Sequence, residues 1–134
     1  MKVNHIPCGQ IANDSEAKAI EFLKNALRSA PGNDEWILLT NLSFSVNNQA
    51  QSEEIDIVVL GPPGITVVEI KHWSSQWMDS HEQLVLHEAD KISMKARRIG
   101  TTLRRSCPEL KHVPGMFILT EESAAIQKVR GKST

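Results

Sequence analysis

Apolar positions along the chain follow two periods, and the switch between them divides it into elements. Behind Asn13-Asp14-Ser15-Glu16, Ile20, Leu23 and Leu27 recur at helical spacing until Pro31-Gly32 stops the run. With Asn13 or Asp14 as the N-cap, this predicts an amphipathic helix over about residues 14–30. Trp36–Val46 is rich in β-formers without helical period, and the polar Asn47–Ser52 stretch reads as a loop. Two strands, about 54–60 and 65–71, flank Gly61-Pro62-Pro63-Gly64. Ser74–Ser80 reads as irregular and Gln83–His87 as a short strand. Ile92, Ala96, Ile99 and Leu103 form one stripe of a second helix, Ala89–Ser106, which Cys107-Pro108 ends. Val113–Thr120 reads as a buried strand, and the tail from Glu121 as a last helical turn. The order α-β-β-β-(β)-α-β predicts a mixed α/β sandwich.

Composition narrows this picture rather than changing it. A chain of 134 residues, 40% hydrophobic and 23% charged, can bury one sizeable core, and without repeat or linker it reads as a single domain. A formal charge of −1 gives no global pull toward nucleic acid or a membrane surface, so any basic patch must be local. No run approaches membrane-spanning length and the first residues carry no apolar signal core, so a cytoplasmic protein with no membrane partner is expected. Cys8 and Cys107 lack metal spacing, and the five histidines form no HxxxH or HExxH pattern.

Three charges interrupt the two apolar strands: Asp56, Glu69 and Lys71. If Gly61–Gly64 is a four-residue hairpin loop, Leu60 faces Ile65, and the same register sets Asp56 opposite Glu69. Alternation then places Asp56, Val58 and Leu60 on one face with Ile65, Val67, Glu69 and Lys71, and Ile55, Ile57 and Val59 on the other. Both faces are apolar, which predicts a central hairpin covered on both sides. Two facing carboxylates there repel each other and lose hydration, at a cost of several kcal/mol without compensation. Lys71 alone cannot neutralise two anions; a divalent cation with hard oxygen ligands, Mg²⁺ above all, can. The plainer alternative is three charges at frayed, hydrated strand ends.

The stretch IDIVVLGPPGITVVEIKHW resembles the signature of the nuclease-related domain (NERD), a branch of the PD-(D/E)xK nuclease superfamily. Asp56, Glu69 and Lys71 fall on the positions of that family's catalytic hairpin, and Ser15-Glu16 on the pair that opens its first helix, with Ser in place of the more usual Gly. The resemblance runs from about Ser15 to Thr120. It implies a restriction-endonuclease-like mixed sheet flanked by helices, and a metal-dependent nuclease in which Asp56, Glu69, the Ile70 carbonyl and Glu16 hold Mg²⁺ or Mn²⁺. Lys71 would orient the attacking water or stabilise phosphoryl charge. On a helical wheel Glu16 shares the stripe of Ile20, Leu23 and Leu27, whereas Glu21 points to solvent. A capping box with Asn13 is the equal alternative for Glu16.

The second helix supplies the local basic surface. Lys91, Lys95, Arg98 and Arg105 line one flank of its apolar stripe and Arg97 and Arg104 the other, so phosphate contacts are expected there, against the alternative of a solvated face. The family usually carries a Gln on this helix near the active site; Lys95 best fits that place. Nucleic acid, DNA ahead of RNA, is the partner implied. The competing reading is an inactive nuclease-like binding or regulatory module, since family members also occur fused to kinase, helicase or zinc-ribbon domains. The terminal Gly131-Lys132-Ser133-Thr134 lacks the preceding glycine of a P-loop, and Trp36, Trp73 and Trp77 read as packing rather than base stacking.

Overall fold

The computed structural model describes residues 2–11, 13–44 and 53–120. Its elements are β1 (Lys2–Pro7), α1 (Asp14–Arg28), β2 (Glu35–Phe44), β3 (Glu53–Gly61), β4 (Gly64–Lys71), α2 (Ser75–Ser80), α3 (Glu82–Arg104) and β5 (Gly115–Leu119). The strands form one mixed sheet in the order β1-β2-β3-β4-β5, parallel at its two outer pairs and antiparallel at the two inner ones.

Two apolar layers cover this sheet. Ala19 and Ile20 of α1 pack with Leu38, Ile57, Val59, Val68, Ile70 and Ile118 on one face. Ile92, Ala96 and Ile99 of α3 pack with Ile55, Val58, Val67 and Val113 on the other. Val58 and Val59, like Val67 and Val68, therefore point to opposite layers, which explains why both central strands read as unbroken apolar runs. The result is a restriction-endonuclease-like α/β sandwich. Its hairpin follows the expected register, with Leu60 against Ile65 and Gly61 against Gly64. Gly64 has φ +130, open to glycine but rarely to side chains. Gly61 is constrained from outside, because a Cβ there would run into the ring of Trp36.

Four local expectations are corrected. The structure begins with β1, which pairs with β2 from Lys2↔Glu35 to Pro7↔Thr40; none of its residues KVNHIP is fully buried, and they carry little apolar pattern. Ser75–Ser80 is helical, started by the Ser74 hydroxyl, which accepts the Trp77 amide at 3.0 Å. Gln83–His87 belongs to the first turns of α3 rather than to a strand. The Leu84 and Leu86 alternation there is exposed, and the good helix formers between Glu82 and Ala89 decide the conformation. The last helix therefore begins seven residues before the expected Ala89 and ends at Arg104. The helical turn expected from Glu121 lies outside the described residues.

Candidate active site

The hairpin that carries the charged residues is a fork. β3 and β4 are paired only from Ile57↔Val68 to the turn. Before Ile57, β3 stays with β2 as far as Glu53↔Phe44; after Val68, β4 stays with β5 as far as Lys71↔Leu119. Asp56 sits where the prongs part, and its Oδ2 accepts the amide of Ile70 on the opposite prong at 2.8 Å. In an extended strand the N–H and C=O of one residue point the same way, so the Ile70 carbonyl also looks into the gap.

The face assignment of Asp56 differs from that expected by alternation. Ile55 joins the α3-side layer and Ile57 the α1-side layer, although they are two residues apart. On β2, Leu39 and Leu42 both pack on the α3 side. Between them stands Asn41 with φ +54, a left-handed conformation, at the point where the β2–β3 register has a gap opposite Asp56. The sheet swaps its faces at this step. Asp56 consequently lines an α1-side cavity of about 300 Å³ together with Glu16, Asn41, Ser43, Glu54 and the backbone turn at Gly9.

Glu16 reaches that cavity from the first turn of α1. Asn13 caps this helix, its Oδ1 accepting the Glu16 amide at 2.9 Å, which is one half of the capping interaction expected. Glu16 is only 8% exposed, whereas Glu21 is on the solvent side with Lys24 3.0 Å away. The Nδ2 of Asn41 is buried without a partner among the described residues.

Glu69 and Lys71 lie on the other side of the sheet. They line a second cavity, about 540 Å³, with Glu53, Glu88, Lys91, Met94, Lys95 and Arg98. The two cavities have no lining residue in common, so Glu69 and Lys71 are grouped apart from Asp56 and Glu16. Asp56 and Glu69 do not face one another as a ladder pair.

The Lys71 Nζ is 3.3 Å from Glu88 Oε2 and stands 5.2 Å from the centre of the Trp73 ring. Burial raises the carboxyl pKa of Glu88, but the hydrogen bonds and charges of Lys71 and Lys91 outweigh it and hold the group below its ordinary value. Lys95 lies 3.7 Å from Glu69 and donates to the Glu54 carbonyl at 2.8 Å. Arg98 pairs with Glu53. Thus Lys91, Lys95 and Arg98 fold over this cavity and carry acidic partners, while Arg105 does not line it. Arg104 donates to the Leu110 and Lys111 carbonyls, tying down the loop after α3.

Glu88 and Asn41 were not marked by the sequence. With α3 begun at Ala89, Glu88 fell outside the helix. Starting the helix at Glu82 puts Glu88, Lys91 and Lys95 on one stripe at i, i+3 and i+7. Trp73 and Trp77 stack on each other at 5.1 Å, and Trp77 on His81 at 4.2 Å, in line with packing.

The model of the nuclease-related domain matches residues 11–120, most of the chain and all of both cavities except Cys8, Gly9 and Gln10. The chain belongs to the NERD family. No curated protein and no solved structure matches it. In this NERD domain Asp56 and Glu69-Ile70-Lys71 stand on the two prongs of the fork, one on β3 and the others on β4.

The oxygen donors of the NERD fork are hard and suit a hard cation. Among the described residues no three His, Cys, Asp or Glu side chains converge as a ready metal cluster. An ion that retains several waters needs only one or two carboxylates, which Asp56 and Glu16 supply from one cavity. Among the described residues no helix is long and apolar enough to cross a membrane.

Proposed function

We propose that this domain is a metal-dependent nuclease that hydrolyses phosphodiester bonds of nucleic acid, DNA ahead of RNA. The observation that carries the reading is the fork, with Asp56 and the Ile70 backbone on its two prongs and Lys71 one residue beyond. Asp56, Glu16 and the Ile70 carbonyl would hold Mg²⁺ or Mn²⁺, with Glu69 joining them on release from its pairing with Lys95. Such an ion, when bound, polarises the scissile phosphate and lowers the pKa of the attacking water.

The chain's own groups do the rest. Asp56 keeps the two prongs in fixed relation through the Ile70 amide. Lys71, a compact point charge steadied by Glu88, stabilises charge that builds on the phosphoryl oxygens. Lys91, Lys95, Arg98 and Arg105 neutralise backbone phosphates, and Lys91, Lys95 and Arg98 each exchange an acidic partner for a phosphate on binding. Incubation with single-stranded, duplex and branched DNA and RNA, with and without Mg²⁺ or Mn²⁺, tests this. Metal-dependent cleavage that disappears in Asp56→Asn and Glu69→Gln supports it.

One observation favours a second reading, a nuclease-like module that binds nucleic acid without cutting it, within or beside a helicase or kinase. Glu69 is paired with Lys95 on the face away from Asp56 and Glu16. Nucleic-acid binding that persists without any metal-dependent cleavage by the wild type would favour this module.

A further inference from the structure

Lys95 touches both prongs of the fork. From α3 its Nζ donates to the main-chain carbonyl of Glu54 on β3 at 2.8 Å and lies 3.7 Å from the Glu69 carboxylate on β4. Both contacts fall beyond the last β3–β4 ladder pair, where the backbone ladder no longer ties the prongs and the Asp56 side chain alone of the strand groups described reaches across, to the Ile70 amide. The side chain is 19% exposed and that of Glu69 21%, so the pair is more sheltered than Lys91, at 60%, one turn earlier on the helix. Its ligands are oxygens only, a carboxylate and a carbonyl. That donor chemistry is also what a hard divalent cation seeks.

We propose that Lys95 is the resident counter-ion of the fork: a positioning residue that holds Glu69 to the α3 side in the metal-free protein and competes with a divalent cation for its carboxylate. The proposal rests on the metal-dependent reading of the site and deepens it. A single positive charge offsets Glu69 without filling the gap, and an ammonium close to a carboxylate repels any second cation that approaches it. Metal loading therefore requires Lys95 to release Glu69. Removing the ammonium removes that competition, and it also removes a tether between the two prongs.

Titration calorimetry with Mn²⁺ alone, without nucleic acid, tests this on wild type, Lys95→Met, Lys95→Gln, Lys91→Met and Glu69→Gln. The Met variant keeps an apolar stem against the helix face while losing the charge and the donor to the Glu54 carbonyl, so it guards against loss of folding, which melting curves check. Both Lys95 variants are expected to bind Mn²⁺ at least about tenfold more tightly than wild type, as loss of one nearby repulsive charge implies. Their metal-free melting temperatures should fall below that of wild type, and saturating Mn²⁺ should close the gap. Lys91→Met controls for generic loss of positive charge and should leave affinity within about threefold.

Equal or weaker Mn²⁺ affinity in the Lys95 variants, with binding lost in Glu69→Gln, overturns the counter-ion role and leaves the metal site standing. An equal gain in Lys91→Met overturns it too. If none of the five proteins binds Mn²⁺, the counter-ion role and the metal-dependent reading fall together, a result distinct from the first two.

Discussion

Asp56 Oδ2 accepts the Ile70 amide at 2.8 Å, so a side chain completes a strand-to-strand link that the backbone has abandoned. This changes what loss of the carboxylate should do. Repulsion between facing acids would make neutralisation stabilising; a hydrogen bond to a partly buried amide makes truncation costly. Asp56→Ala should lose about 1–3 kcal/mol of unfolding free energy, because the Ile70 donor is left without its acceptor. Asp56→Asn retains an acceptor oxygen and should stay within about 0.5 kcal/mol of wild type while cleavage is lost. Urea titrations of the three proteins check the order.

Glu88 ties Lys71 to α3, and the pair gives the acid limb of stability a predictable sign. The folded carboxyl is held below its ordinary value of 4.5, so its contribution is present above that value and is lost as pH falls through the folded pKa. The stability difference between wild type and Glu88→Gln should be at most about 1 kcal/mol, full above pH 4.5 and closing below it. A difference that persists in full acid would show that the side chain matters for packing rather than charge.

His5 titrates in a higher window. Its ring accepts or donates at 2.8 Å to the fully buried Thr40 hydroxyl, and burial, with Lys24 adding to it and Glu21 partly offsetting, lowers its pKa from 6.5. The unfolded chain protonates first, so stability is full above pH 6.5 and declines as pH drops toward the folded pKa. Melting temperatures of His5→Gln should be flatter than wild type between about pH 7.5 and 5.

Gly61 lies under the Trp36 ring, which leaves no room for a methyl group. Gly61→Ala should cost about 1–3 kcal/mol as an overpacking change. Much of that loss should be absent when the substitution is made in a Trp36→Leu background, a non-additivity that a double-mutant cycle measures directly.

Much of this fold was legible because its central strands are covered on both sides. The runs Ile55–Leu60 and Ile65–Ile70, with Gly61 and Gly64 between them, determine strand, turn and register, and Leu60↔Ile65 follows from loop length alone. The stripe of Ile92, Ala96 and Ile99 identifies the buried face of α3. β1 was hidden because an edge strand needs partners more than apolar pattern, and the start of α3 because Gln83–His87 mimics alternation locally. The grouping of the candidate site was hidden for a further reason. Alternation holds only while the pleat is regular, and one left-handed residue, Asn41 on the neighbouring strand, reverses it at Asp56. Nothing in the sequence around Asp56 itself announces that reversal.

The fork also falls between the two halves of the chain. One prong ends a segment made of β1, α1, β2 and β3, and the other begins a segment made of β4, α2, α3 and β5, with only Pro62-Pro63 between them. A break in that dipeptide would yield two polypeptides, one bearing Glu16 and Asp56, the other Glu69, Lys71 and Lys95. Neither would own a whole centre. The proposed nuclease activity would then depend on their reassembly, and the turn is a natural seam for a split reporter.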